Sequence, residues 1–406
     1  LPKDYGHIII LEHQTDDRTP FYTLYGHLSA SSLTSIRIGD KIEKGQVFAW
    51  LGDHYENGDW VPHIHFQIMT DLLGNVSNFP GVADPRMRSL WLSICPDPNL
   101  ILGIEGIEDH AYHIVEPKEL MQKRDDILPK NLSVSFRSDP LHIIRGYGVH
   151  LYDHRAQAYL DTVNNVAHVG HENPAVVKAG EQQMAVLNTN TRYLHPAILD
   201  YAEALLKTIP DHIEVIYFCN SGSEANDLAM RLAKAHTGNN DMVVLEQGYH
   251  GHTANCINVS SYKFEGKGGG GINSGIHMLA MPDTFRGPYA DEPNALVKST
   301  IDQLASIEGS IAGFIGEAIL SCGGQIVPPQ GYFKEVYEAV RSKGGICIAD
   351  EVQTGFGRVG DHFWGFQLYD IDPDIVTMGK PIGNGHPLAL VATTRKIAES
   401  FDNGME

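Results

Sequence analysis

Beyond about residue 127, short apolar runs alternate with longer amphipathic stretches, and this alternation restricts the fold more than any other feature of the chain. The runs Val215-Ile216-Tyr217-Phe218-Cys219, Met242-Val243-Val244-Leu245, Ile311-Ala312-Gly313-Phe314-Ile315 and Gly345-Ile346-Cys347-Ile348-Ala349 have the length and composition of buried strands. Helical periodicity marks Pro174–Val186, 198–207 and 332–343 between or beside them. Apolar strands fed by helices are buried on both faces, which predicts an α/β fold with a mostly parallel sheet and helices on both sides.

The first hundred residues follow a different rule. Tyr5-Gly6-His7-Ile8-Ile9-Ile10-Leu11, Phe21-Tyr22-Thr23-Leu24-Tyr25 and His63-Ile64-His65-Phe66-Gln67-Ile68 are short β-branched or aromatic runs separated by turn residues. Gly39-Asp40, Gly45 and Gly52-Asp53 punctuate residues 36–50 at hairpin-like intervals. An N-terminal all-β domain over 1–100, a connector over 101–126 and the α/β domain over 127–406 are therefore expected, and 406 residues are enough for more than one core.

Thirty Lys and Arg against fifty Asp and Glu leave a formal charge of −20, which disfavours a binder of nucleic-acid backbones. No apolar run reaches the length of a membrane span, so no membrane partner is expected. Cys95, Cys219, Cys256, Cys322 and Cys347 are scattered, odd in number and never in a CxxC pair, which suits a reducing cytoplasm better than a disulfide framework. The chain opens on Leu1 and stops on Asn403-Gly404-Met405-Glu406, and is expected to be part of a longer protein.

Three histidines carry the chemistry of the first domain. On a strand, His63 and His65 at i and i+2 would share a face, and His27 stands in Tyr25-Gly26-His27-Leu28. These segments, with Gly39-Asp40-Lys41-Ile42-Glu43-Lys44-Gly45-Gln46 between them, resemble the lysostaphin-type zinc endopeptidases. The resemblance implies that His65 is a zinc ligand and that His63 and His27 assist the bound water and the oxyanion. The family's other two ligands precede the first strand in a His-x-x-x-Asp segment with no counterpart here. One protein ligand is too few for a catalytic zinc, so the three histidines are vestigial candidates and no zinc is expected in this chain.

In the second domain, Ser221-Gly222-Ser223-Glu224-Ala225 joins an apolar run to a helix. It offers free N–H groups, two hydroxyls and a helix N-terminus, all suited to a phosphate, although a simple N-cap would look the same. Asp350 follows a strand directly, where ligands bind in open α/β sheets. Lys380 stands in Thr377-Met378-Gly379-Lys380-Pro381-Ile382-Gly383, among small residues that let a flat ring approach. A phosphate cradle, a carboxylate and a lysine in that order are the parts a pyridoxal 5'-phosphate enzyme needs: the carboxylate keeps the pyridine nitrogen protonated and the lysine forms the Schiff base.

With Tyr249-His250-Gly251 and Asp350-Glu351-Val352-Gln353-Thr354-Gly355-Phe356-Gly357-Arg358, these segments resemble the class III aminotransferases of fold type I. The resemblance implies Lys380 as the Schiff-base lysine, Asp350 as the partner of the pyridine nitrogen and Gln353 as a hydrogen-bond partner of the phenolic oxygen. It also implies Tyr249 as the stacking ring, Ser221, Gly222 and Ser223 as phosphate contacts, and Glu317 as an acid facing the pocket. Asn188-Thr189-Asn190-Thr191-Arg192-Tyr193-Leu194-His195, Ser261-Tyr262-Lys263-Phe264, Ser321-Cys322-Gly323-Gly324-Gln325 and His362-Phe363-Trp364 are similar to the ethanolamine-phosphate phospholyase branch. That likeness implies a small phosphorylated amine as substrate, with Arg192 and Lys263 as candidate contacts to its phosphate, and a homodimer with a shared site. A family segment bearing a threonine for the neighbour's cofactor phosphate is expected beyond Glu406. A phospholyase, an ω-aminotransferase and a non-catalytic binding module remain the alternatives at this point.

Overall fold

The computed structural model describes residues 5–83, 87–105, 115–154 and 157–404. It forms two compact units, Leu1–Thr162 and Val163–Glu406. Among the described residues no helix is long and apolar enough to cross a membrane.

In the first unit, β1 (His7–Gln14), β2 (Pro20–Leu28) and β3 (His65–Met69) make an antiparallel sheet in that order. The β1–β2 turn is closed by side chains: Thr15 Oγ1 and the Asp17 carboxylate both accept from the Thr19 N–H, at 3.0 and 3.2 Å. Helix α1 (Ser32–Ser35) lies between β2 and β3; α2 (Arg88–Ile94), α3 (Asn99–Leu102) and α4 (Pro117–Ile127) follow β3, then a second antiparallel sheet of β4 (Ile143–Tyr147), β5 (His150–Asp153) and β6 (Ala158–Leu160). Leu24, Met69, Phe79, Leu90 and Ile94 form a small core under the first sheet.

The hairpins expected over residues 36–50 do not form, and the segment carries no strand. Local bonds have taken the backbone groups that a ladder would need. Asp40 accepts from the Arg37 N–H at 2.8 Å, and Gln46 Oε1 accepts from the Glu43 N–H at 3.0 Å. Ile38 and Val47 are exposed, so no buried apolar face pins a strand register.

The second unit is built on a seven-stranded sheet. Its strands are β7 (Val215–Cys219), β8 (Met242–Leu245), β9 (Ile276–Leu279), β10 (Gly313–Glu317), β11 (Ile346–Asp350), β12 (Ile375–Met378) and β13 (Ala389–Thr393), in the order β7-β13-β12-β11-β10-β8-β9. Only β13 runs antiparallel to its neighbours. The helices are α5 (Pro174–Val186), α6 (Pro196–Leu206), α7 (Gly222–Thr237), α8 (Ala254–Asn258), α9 (Ser261–Phe264), α10 (Pro293–Ser306), α11 (Tyr332–Ser342) and α12 (Arg395–Glu399).

Successive side chains along a strand point to opposite faces, and the core divides accordingly. Val244, Ile315, Ile348, Ile375 and Val391 pack under α7, against Ala225, Ala229 and Ala233. Val243, Leu245, Phe314 and Cys347 pack on the other face, against Leu296 and Leu304 of α10 and Phe333, Val336 and Val340 of α11. Both faces are covered, so this is the mostly parallel sheet that the alternation predicts, with β13 reversed.

Candidate active site

The C-terminal ends of the parallel strands converge on one polar cluster, where open α/β sheets hold their ligands. Glu317 ends β10 and Asp350 ends β11, and the two are register partners across the sheet; Thr377 of β12 pairs with Asp350 on its other side. Both acids are buried, at 2% and 3% exposure.

Asp350 is held by three donors. Its Oδ2 accepts from Asn226 Nδ2 and from His250 Nδ1, both at 2.8 Å, and its Oδ1 accepts from the Val352 N–H at 3.1 Å. A carboxylate can only accept, so the His250 proton on this side sits on Nδ1. Asn226 spends its whole amide here: it also donates to the His250 carbonyl at 2.8 Å and accepts from Thr377 Oγ1 at 2.6 Å. His250 Nε2 is buried with no hydrogen-bond partner.

Glu317 has different surroundings. Its Oε2 accepts from Ser321 Oγ at 2.5 Å and from the Ser321 N–H at 3.3 Å, and its Oε1 accepts from the Tyr249 N–H at 3.4 Å. Burial raises its pKa, and the neighbouring Asp350 raises it further. Lys380 follows β12 with φ of 44°, a left-handed conformation that costs a lysine free energy and marks a constrained turn. Burial lowers the pKa of its amine, against the opposing pull of Asp350 and Glu317.

The turn from β7 into α7 packs tightly against the rest of the cluster. A Cβ on Gly222 would lie 2.9 Å from Val352 Cγ1, and one on Gly379 would lie 3.4 Å from the Gly222 Cα. Ser221 caps α7 by accepting from the Glu224 N–H at 3.2 Å, while Glu224 reaches back to the Asn220 N–H at 2.7 Å. The N-cap that the sequence allows is thus real. The first N–H groups of α7 still lack intrahelical partners by position, so the cap does not use up the donors at this end of the helix. Ser223 Oγ accepts from the His252 N–H at 3.0 Å. Gly251, at φ of 130°, passes so close that a Cβ there would sit 2.6 Å from Ser223 Oγ.

Tyr249 and Tyr262 meet edge to face with ring centroids 6.2 Å apart. The exposed Lys263 ammonium lies 5.6 Å from the Tyr249 centroid and 5.3 Å from that of Tyr262. Arg192 lies exposed in the turn between α5 and α6, where its N–H donates to Asn190 Oδ1 at 3.1 Å. Gln353 donates from Nε2 to Ser321 Oγ at 3.1 Å and accepts from Asn165 Nδ2.

Glu351, next to Asp350, faces away from this cluster. It is 1% exposed and accepts from Gly365 N–H at 2.8 Å, Phe366 N–H at 2.7 Å and Thr354 Oγ1 at 2.9 Å. Burial pushes its carboxyl up to about 7.

Asn226, His250, Ser321 and Asn165 are functional neighbours to which the sequence alone assigns no role. Asn226 had a signal: it sits on the face of α7 that carries Ala225, Ala229 and Met230 into the core, where an amide needs a reason to be.

Residues 133–405 match the family model for aminotransferase class-III. The chain belongs to that family. A Drosophila melanogaster member, alanine–glyoxylate aminotransferase 2-like, is 46% identical over 294 residues, covering 70% of this chain and 59% of its own length. Another, the Caenorhabditis elegans ethanolamine-phosphate phospho-lyase homolog 1, is 40% identical over 302 residues, covering 70% of this chain and 64% of its own. This chain therefore spans about 60% of the length of these curated class III relatives. Among solved structures, a phospholyase from Arthrobacter in complex with phosphoethanolamine superposes with a TM-score of 0.65 at 36% identity, covering 70% of this chain and 67% of its own.

Residues 2–77 match peptidase family M23. His27, His63 and His65 do come together, with the His27 ring centroid 4.3 Å from that of His63 and 6.2 Å from that of His65. The shared strand face expected for His63 and His65 is not realised, because β3 begins at His65. His63 lies exposed before the strand with Nδ1 2.6 Å from the Val61 carbonyl. His27 Nδ1 donates to the Asn57 carbonyl at 2.8 Å, and His65 Nε2 donates to Gln67 Oε1 at 3.2 Å. Among the described residues no group of three or more His, Cys, Asp or Glu is arranged to hold a metal ion.

Proposed function

We propose that the second unit, within the full-length protein, binds pyridoxal 5'-phosphate and eliminates phosphate from a small phosphorylated amine such as ethanolamine phosphate. The residues fit the cofactor: Gly222 and Gly379 let the turn bearing Ser221 and the turn bearing Lys380 pack side by side, and a lysine with a lowered pKa lies near two buried acids. Ser221, Gly222 and Ser223 would hold its phosphate, Tyr249 would cover its ring, Asp350 would face the ring nitrogen, and Gln353 the phenolic oxygen. Bound there, the cofactor supplies an electron sink for the carbon that carries the substrate nitrogen.

The chain's own residues do the rest. Burial keeps a larger share of Lys380 neutral, so its amine can take a proton from that carbon. Asn226 and His250 hold Asp350 as a hydrogen-bond acceptor. The observation that carries the elimination is Lys263, an exposed cation 5.6 Å from the Tyr249 ring centroid, which would neutralise a departing phosphate. The carbon–oxygen bond breaks, phosphate leaves with the electron pair, and the released enamine takes up water to give an aldehyde and ammonia. The likeness to the Arthrobacter phospholyase supports this reading. An aminotransferase reaction is the second reading, favoured by the Drosophila relative. The unit would act in the cytoplasm as a homodimer, and the M23-like unit would have no zinc-dependent role in this chain.

Two measurements test this. Phosphate and acetaldehyde should be released continuously from ethanolamine phosphate without any keto acid, whereas a single half-turnover rescued by a keto acid would make the protein an aminotransferase. Borohydride should trap the cofactor on the wild-type protein and not on Lys380→Ala; trapping that survives the substitution would refute the assignment of Lys380.

A further inference from the structure

A chain of hydrogen bonds runs from a buried acid to a segment far away in sequence: Glu317, Ser321, Gln353, Asn165. Its direction follows from donor counting. Ser321 has one hydroxyl proton, and it goes to Glu317 Oε2 at 2.5 Å. Toward Gln353, Ser321 can therefore only accept, which turns the Gln353 NH2 to it at 3.1 Å. The Gln353 carbonyl must then face Asn165, and the Asn165 NH2 must face Gln353. Each amide could be drawn either way in isolation, but the acid at one end leaves a single consistent orientation.

We propose that Ser321 and Asn165 are positioning residues that lock the Gln353 amide with its second N–H free for the ligand. The inference rests on the reading in which Gln353 meets the cofactor's phenolic oxygen. A donated N–H stabilises the anionic form of that oxygen, whereas a reversed amide would point its carbonyl there and repel it. Asn165 precedes α5 and Gln353 follows β11, so the lock also ties the opening segment of the second unit to the site. The titratable and charged groups around this chain are Asp350 and His250 beside Glu317, Lys380, Cys322, Tyr249 and Lys263 near the site, and Arg358, which donates to the Asn165 carbonyl at 3.4 Å and bonds His168.

The test is a pH titration of the bound cofactor's visible absorption in the full-length protein, with Asn165→Ala, Ser321→Ala and Ser321→Thr. Loss of a hydrogen bond that holds the donor should move the midpoint to higher pH by about one unit, a tenfold change in proton affinity, in each alanine variant. Ser321→Thr keeps the hydroxyl and should restore the wild-type midpoint. Alanine variants that bind the cofactor and titrate at the wild-type midpoint would overturn the inference, as would a threonine variant that behaves like Ser321→Ala. A wild-type protein with no pH-dependent visible band would instead count against the cofactor reading itself.

Discussion

Replacing Glu351 by Gln removes a titrating carboxyl from the interior while keeping its shape, and the effect on stability should depend on pH in a defined direction. The unfolded chain releases this proton around 4.5, whereas burial delays its release in the folded protein until about 7. Between those values the folded state binds more protons than the unfolded state, so stability falls as pH rises. The contribution is fully present below about 4.5 and lost above about 7, and the gap corresponds to about 3 kcal/mol. Glu351→Gln does not titrate. It should also be less stable by a pH-independent amount of about 1–3 kcal/mol, because its NH2 must face the N–H of Gly365 or Phe366. The advantage of wild type over Glu351→Gln should therefore shrink by about 3 kcal/mol as pH is raised across that window. Urea unfolding followed by Trp364 emission reads this locally. Trp364 is fully buried, and the other tryptophans, Trp50, Trp60 and Trp91, can be replaced by Phe in both proteins. A stability difference that stays constant from about pH 4.5 to 8 would show that Glu351 does not titrate in this window, and would refute the reasoning.

Gly251→Ala should lower the melting temperature and weaken cofactor binding. Its φ of 130° and a Cβ 2.6 Å from Ser223 Oγ together imply a cost of about 3 kcal/mol; an unchanged melting temperature would count against that geometry. Zinc added to the protein should not bind stoichiometrically through His65, whose Nε2 is engaged with Gln67. Metal analysis showing one zinc per chain, lost on His65→Ala, would overturn the reading of the first unit.

The parallel sheet was legible because burial on both faces leaves continuous apolar runs, as in Met242-Val243-Val244-Leu245. The turn bearing Ser221, Asp350 and Lys380 were legible as candidates because each stands just past such a run, where a strand end must lie. The partners of those residues were not. Asn226 and Asp350 meet across a sequence separation of 124, and no local pattern encodes a single polar pair between a helix and a strand. Residues 36–50 misled for the opposite reason: glycines at hairpin spacing signal turns, but Asp40 and Gln46 close those turns locally and leave nothing to pair. The reversal of β13 was equally hidden, since an apolar run has the same composition in either direction.

That reversed strand has a consequence for how the protein is made. Among the described residues β7 sits at the sheet's edge with β13 as its strand neighbour, so the turn bearing Ser221 joins the sheet through residues 389–393. During synthesis β7 leaves the ribosome early and then waits for more than a hundred further residues before the strand that seats it exists. The middle of the sheet, β8 with β10 and β11, can assemble during that wait, but the Ser221 turn and the Lys380 turn become neighbours only when β13 slides between their strands. Of the described strands in this sheet, β13 is thus the one whose arrival brings the two turns together, and β7 stays without its strand partner until then.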